Sequence, residues 1–153
     1  MTVPAVRSVA DEVWAALTAV AGVNMFDAVV DIPPYDAADT STHRFWDLDT
    51  AGDPANVHAY AAYYPSPGRA YSDRLSGRPS KMAWSCQVTC VGADRTACLW
   101  CAGKVRTALS NLRTSIGLLR EVGGNESRFP TLDRDVTPPR MYVPLDFGVR
   151  VAG

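Results

Sequence analysis

Four cysteines, Cys86, Cys90, Cys98 and Cys101, fall within sixteen residues in the spacing Cys-x3-Cys-x7-Cys-x2-Cys. Thiolates in that number could hold a tetrahedral zinc ion and make the chain a small zinc-binding module. The spacing argues against it. Structural zinc ligands come in close pairs on a knuckle or turn, whereas residues 81–91 read as one continuous strand. Four residues along a strand separate Cα atoms by about 13 Å. Sulfurs sharing one zinc ion stand within about 4 Å of each other, so only a large bulge would bring Cys86 and Cys90 together. Cysteine also behaves as a small buried hydrophobe. Trp84, Cys86, Val88 and Cys90 share one strand face; Ala97, Cys98, Cys101, Val105, Ala108, Leu109 and Leu112 share one helix stripe. The cysteines are therefore expected as free thiols packed between a strand and a helix, with no metal and no cofactor.

A second group of reactive residues lies in the irregular stretch 33–55, which carries Asp36, Asp39, Asp47, Asp49 and Asp53. Hard cations and hydrolases use clustered carboxylates. No EF-hand spacing accompanies these, however, and His43 and His58 stand singly. A solvated loop accounts for the stretch, with Phe45-Trp46 inside it as a brief strand or an anchor onto the body. The chain has no Gly-x-Ser-x-Gly elbow, no Walker loop and no Gly-x-Gly-x-x-Gly fingerprint. No enzyme is expected; chemistry by the aspartate loop is the alternative, which only a measured activity would support.

The loop 65–80 holds Arg69, Tyr71, Arg74 and Arg78. Arginine and tyrosine are enriched where proteins meet, because they combine contact area with directional hydrogen bonds. These four residues are the candidate interface. A solvated loop is the plain alternative, and phosphate contact the weakest, since no basic face accompanies them.

The elements that must position these residues follow from periodicity. Val6, Val9, Ala10, Val13, Leu17 and Val20 line one face of a helix over residues 4–21, with Pro4 in its first turn and Gly22 at its stop. Met25–Ile32 and Val57–Tyr64 read as strands, and Asp94 as the cap of a helix running to about Leu112. Ile116–Val122 reads as a further strand. In the C-terminal strand, residues 140–151, Met141, Val143, Leu145, Phe147, Val149 and Val151 alternate with polar or small residues. Pro144 cannot donate to a ladder, which suggests an edge or a bulge there. The expected fold is α+β: a mixed or antiparallel sheet of four to five strands flanked by two main helices, in a single domain over residues 1–153.

The bulk numbers fit that expectation. A chain of 153 residues can bury a core without staples, and a net charge of −1 gives no reason to expect nucleic-acid or membrane binding. No apolar run approaches the roughly 18 residues that span a bilayer. Asp11 and Glu12 interrupt the N-terminal apolar pattern, so no secretory signal is expected.

Three segments together resemble a known family. They are Tyr60-Ala61-Ala62-Tyr63-Tyr64-Pro65-Ser66-Pro67-Gly68, the strand Trp84-Ser85-Cys86-Gln87-Val88-Thr89-Cys90-Val91-Gly92, and the helical Ala102-Gly103-Lys104-Val105-Arg106-Thr107-Ala108-Leu109. With Asp133-Arg134-Asp135-Val136-Thr137-Pro138 and the alternating C-terminal strand, their order over residues 57–150 resembles tail terminator proteins of long, non-contractile-tailed phages, especially those of actinobacterial hosts. The resemblance implies a structural virion protein of the tail and neck, assembled in the host cytoplasm. It implies a hexameric ring that caps the head-proximal end of the tail tube, stops tube polymerisation and joins the head connector. Its partners would be further copies, the major tail tube protein and a head-completion or connector protein, with DNA passing through the lumen without specific binding. Another neck protein, for head closure or tail completion, is the neighbouring alternative. The resemblance carries over no catalytic residues. A ring needs contacts that close on rotation, and the opposite charges of stretches 33–55 and 65–80 suggest that the two meet across subunits.

Overall fold

The computed structural model describes residues 6–28, 46–48, 54–57, 59–71, 81–92, 94–122, 129–135 and 140–150. In chain order the elements are α1 (Val6–Thr18), β1 (Asn24–Asp27), β2 (Trp46–Leu48), β3 (Pro54–Val57), β4 (Tyr60–Pro65), β5 (Arg69–Tyr71) and β6 (Lys81–Gly92). Then follow α2 (Arg95–Leu109), β7 (Arg113–Thr114), β8 (Gly117–Leu118), β9 (Arg120–Glu121), β10 (Thr131–Asp133) and β11 (Arg140–Arg150). The fold is α+β, as expected. Its main sheet runs β1-β4-β6-β11-β10, with β5 added beside β6 and β9 beside β11. The β1–β4 pair is parallel, and the pairs β4–β6, β6–β11 and β10–β11 are antiparallel.

Both helices cover one face of this sheet. Val9, Val13 and Leu17 of α1 are fully buried, as are Cys98, Cys101, Val105 and Leu109 of α2. Opposite them stand Met82, Trp84, Cys86, Val88 and Cys90 of β6 and Val143, Leu145, Phe147 and Val149 of β11, all buried. A helix as short as α1 is marginal alone in water. Its docking supplies about 1.5–3 kcal/mol for each fully buried valine or leucine. Two contacts fix its angle: the Tyr63 hydroxyl donates to the Ala10 carbonyl at 3.0 Å, and Trp14 stacks on Tyr63 with ring centroids 5.8 Å apart.

Three expectations need correction. A single strand over Val57–Tyr64 is two: β3 pairs with β2 as a separate hairpin, while β4 enters the main sheet. The stretch 33–55 thus contains ordered strands. Its length has a cause: parallel strands such as β1 and β4 cannot be joined by a tight turn and need a long crossover. The strand expected over Ile116–Val122 is broken as well. The buried Leu119 donates to the Leu112 carbonyl and accepts from the Asn111 amide, both at 2.9 Å. That tie separates the small β7–β8 hairpin from β9. The Thr114 hydroxyl closes the hairpin by donating to the Gly117 carbonyl at 2.7 Å. The second helix ends at Leu109 instead of running to Leu112, because Ser110 is extended and Asn111 takes φ +64°.

β11 is flanked on both sides at its ends, but beside Pro144 one side is unpaired among the described residues, as the edge position expected there requires. β6 lies on one side of it, and the short β9 and β10 share the other. Pairing to β10 ends at Tyr142 and pairing to β9 begins at Phe147. On that side the Asp146 carbonyl accepts from the Val122 amide at 2.8 Å. Residues two apart direct their backbone groups the same way. The missing donor of Pro144 therefore faces a side on which, among the described residues, neither β9 nor β10 pairs with it.

Candidate functional site

The strand–turn–helix unit holding the four cysteines is built around Gly92 and Asp94. A β-carbon on Gly92 would stand 2.4 Å from the Cys98 backbone nitrogen and 2.6 Å from the Ala97 carbonyl carbon. Only glycine permits α2 to start this close to the end of β6. Asp94 then caps the helix, its carboxylate accepting from the Ala97 amide at 2.7 Å. The first turn of α2 is thereby locked against β6.

All four cysteines are buried free thiols. Their partners are mostly backbone: Cys98 Sγ donates to the Cys90 carbonyl at 3.6 Å and Cys101 Sγ to the Tyr60 carbonyl at 3.5 Å. Burial pushes the Cys98 thiol up to about 11, helped by Cys101, and the Cys86 thiol up to about 12, helped by Asp146. Cys90 is raised further, first by its hydrogen bond with Cys101 and then by burial. Thiols held protonated in this way are poor nucleophiles and poor metal ligands. Among the described residues no three His, Cys, Asp or Glu side chains converge to hold a metal ion. The cysteines are packing material for the β6–α2 contact.

The other residues of the unit also have structural duties. Val88 and Val105 are buried between sheet and helix. Gln87 looks out from the opposite face and donates to Asp146 of β11 at 3.2 Å. Arg106 grips Glu121 with two nitrogens, at 2.9 and 3.0 Å, tying α2 to β9.

A concavity lies at the end of the sheet where β6 begins and β11 finishes. It has a volume of about 920 Å³, in the range of ligand and peptide pockets. Ala83, Ser85 and Gly148 floor it, and their small size leaves the backbone approachable. Its mainly apolar walls include Leu118 and Val122, which are 39% and 49% exposed. Ser66 shapes one side: its amide donates to the Ser85 carbonyl at 2.9 Å, and its hydroxyl accepts from the Ser85 amide at 3.1 Å. The exposed Arg69 and Arg120 also line the groove, and among the described residues no carboxylate does. A shallower hollow lined by Tyr64, Gln87 and Asp146 adjoins it through Ser66, Ser85 and Val122.

Of the four interface residues expected from sequence, Arg69 sits on this groove and Tyr71 lies in β5 opposite Lys81. Arg74 and Arg78 lie outside the described residues, as do His43, His58 and the aspartates of 33–53 except Asp47 in β2. The groove also brings in Arg120, Val122 and Gly148, which sequence reasoning did not single out. On the far side of the sheet's outer face, Arg140 donates to the Tyr60 hydroxyl at 2.7 Å, and Phe26 meets the Tyr60 ring edge-on. Among the described residues no helix is long and apolar enough to cross a membrane.

The chain matches no protein-family model, and no curated protein matches it.

Proposed function

We propose that this chain is a structural subunit that works by presenting surfaces to other proteins, without catalysis. More particularly, we propose a tail terminator of a long, non-contractile-tailed phage: a ring that caps the tail tube and offers the surface to which the head connector binds. The observation that carries the reading is where the family-like residues fall. Gln87, Val88, Gly92, Val105 and Arg106 all lie in the β6–α2 unit, where Val88, Gly92 and Val105 build it and Gln87 and Arg106 tie it to β11 and β9. A resemblance in residues that make the architecture bears on the fold and assembly of a protein, where one in scattered surface positions would not. The mainly apolar groove with two arginines and the protonated, inert thiols accord with a binding role.

Negative-stain imaging of the purified chain, alone and mixed with its major tail tube protein, tests this. The expected result is hexameric rings of tube diameter that stop tube growth at one end. Rings that leave tube growth unchanged would favour a head-closure or tail-completion protein. A chain that stays monomeric and leaves tube growth untouched would sink both.

A further inference from the structure

Helix α2 buries one face against β6 and turns another to solvent, and the make-up of that outer face is not explained by packing within the chain. We propose that it is a docking surface for an acidic amphipathic helix of a partner protein. The inference rests on the reading of the chain as a subunit that presents surfaces to other proteins, and names one such surface.

At 3.6 residues per turn, Thr96, Gly103 and Thr107 fall in one line along α2, with Leu99 on one side of it and Trp100 on the other. All five are exposed, Leu99 by 46% and Trp100 by 44%. Gly103 floors this shallow trough: among the described residues, a β-carbon built on it would meet nothing within 4 Å. Glycine is the poorest helix former after proline, and no crowding requires it here. Its use is to let another backbone come close. Trp100 is already placed for contact. A β-carbon on Gly22 would stand 3.1 Å from its Cη2, and the Lys104 ammonium lies 5.5 Å from its ring centroid. An exposed aromatic held in this way has little freedom left to lose when a partner covers it.

Charge selects the partner. Residues 95–120 carry Arg95, Lys104, Arg106, Arg113 and Arg120 and no Asp or Glu. Arg95 stands in the first turn of α2, against the positive end of the helix dipole. It flanks the trough on the Leu99 side, and Lys104 flanks it on the Trp100 side. The same helix from a second copy would set like charges together. A partner helix with an apolar stripe for Leu99 and Trp100, a small residue over Gly103 and carboxylates at its margins matches the face in shape and charge. A nucleic acid would use the cations and stack on Trp100, but it gains nothing from Leu99 or from the open backbone at Gly103.

Calorimetric titration with two synthetic peptides gives the test. One is a helix-forming peptide with leucine and alanine on one face and glutamate elsewhere; the other has lysine for every glutamate. The glutamate peptide is expected to bind at least about tenfold tighter than the lysine peptide. Trp100→Ala is expected to weaken its binding at least about tenfold. Gly103→Leu separates docking from folding. It exchanges glycine for a good helix former, so the chain is expected to melt at a higher temperature. The new side chain fills the trough, so peptide binding is expected to weaken at least about tenfold. No preference for the glutamate peptide, or binding of it that Trp100→Ala and Gly103→Leu leave unchanged, would overturn the docking face. Tighter binding of a single-stranded oligonucleotide than of the glutamate peptide would also overturn it, in favour of nucleic acid. Self-association lost in Gly103→Leu would overturn it in favour of a contact between copies. A wild-type chain that binds the glutamate peptide but never forms rings would uphold the docking face and remove the terminator reading.

Discussion

Gly92 lies so close to the first turn of α2 that a β-carbon on it would stand 2.4 Å from the Cys98 amide nitrogen. The atoms in the way are backbone, so no side-chain rotation can relieve the clash. Gly92→Ala must push α2 off β6 and loosen the buried cysteine layer. The expected cost is about 2–3 kcal/mol, in the range of overpacked cores. Urea unfolding would register it as a lower midpoint at unchanged slope; a midpoint equal to that of the parent would refute the close approach.

Asp94 holds the same first turn through its cap. Asp94→Ala removes the acceptor for the Ala97 amide and is expected to cost about 1 kcal/mol. Asp94→Ser keeps an acceptor and should recover most of that loss. Equal melting temperatures for the alanine and serine variants would show that the cap contributes nothing.

The buried thiols make stability depend on alkaline pH. A cysteine in the unfolded chain ionises near its ordinary value of 9.0, whereas folded Cys98 and Cys86 hold their protons to about 11 and about 12. Above pH 9 the unfolded chain therefore binds fewer protons than the native one, and stability falls as pH rises. The contribution is complete below pH 9 and is lost progressively as pH climbs through 11 and 12. Replacing both residues with alanine should flatten the decline between pH 9 and 11 while lowering stability at pH 7. An identical alkaline slope in the double variant would count against it.

Trp84 is the largest of the fully buried side chains, yet its indole N–H finds no hydrogen-bond partner. An orphaned buried donor costs about 1–3 kcal/mol. Trp84→Phe removes that donor along with part of the ring, so the two effects offset. The phenylalanine variant is expected within about 1 kcal/mol of the parent, and Trp84→Ala about 3–5 kcal/mol below it. Calorimetry separates the two; a phenylalanine variant as damaged as the alanine one would mean that the N–H has a partner.

Much of the fold was legible because its longest elements are strictly periodic. The alternation Val143, Leu145, Phe147, Val149 is the buried face of β11, and the stripe Cys98, Cys101, Val105, Leu109 is the buried face of α2. The cysteines read correctly as packing because their spacing suits a strand facing a helix better than an ion. What escaped was set by tertiary ties. Leu119 breaks an apolar run through hydrogen bonds to Asn111 and Leu112, and periodicity carries no trace of them. Parallel pairing of β1 with β4 depends on partners distant in sequence. The groove was hidden for a different reason. Its floor consists of Ala83, Ser85 and Gly148, notable for the side chains they lack, and its second arginine, Arg120, belongs to a two-residue strand. Only Arg69 announced itself, through the arginine-bearing loop.

The interrupted side of β11 bears on how the protein keeps to itself in a crowded cell. A long strand with an open ladder would template strands from unfolding or nascent chains and seed aggregates. Here the open stretch offers no amide at Pro144, and its Asp146 carbonyl is already taken by Val122. An incoming strand would find no run of donors beside Pro144, which presents only a carbonyl. One proline, set between two short flanking strands, breaks the run of donors that such a partner needs.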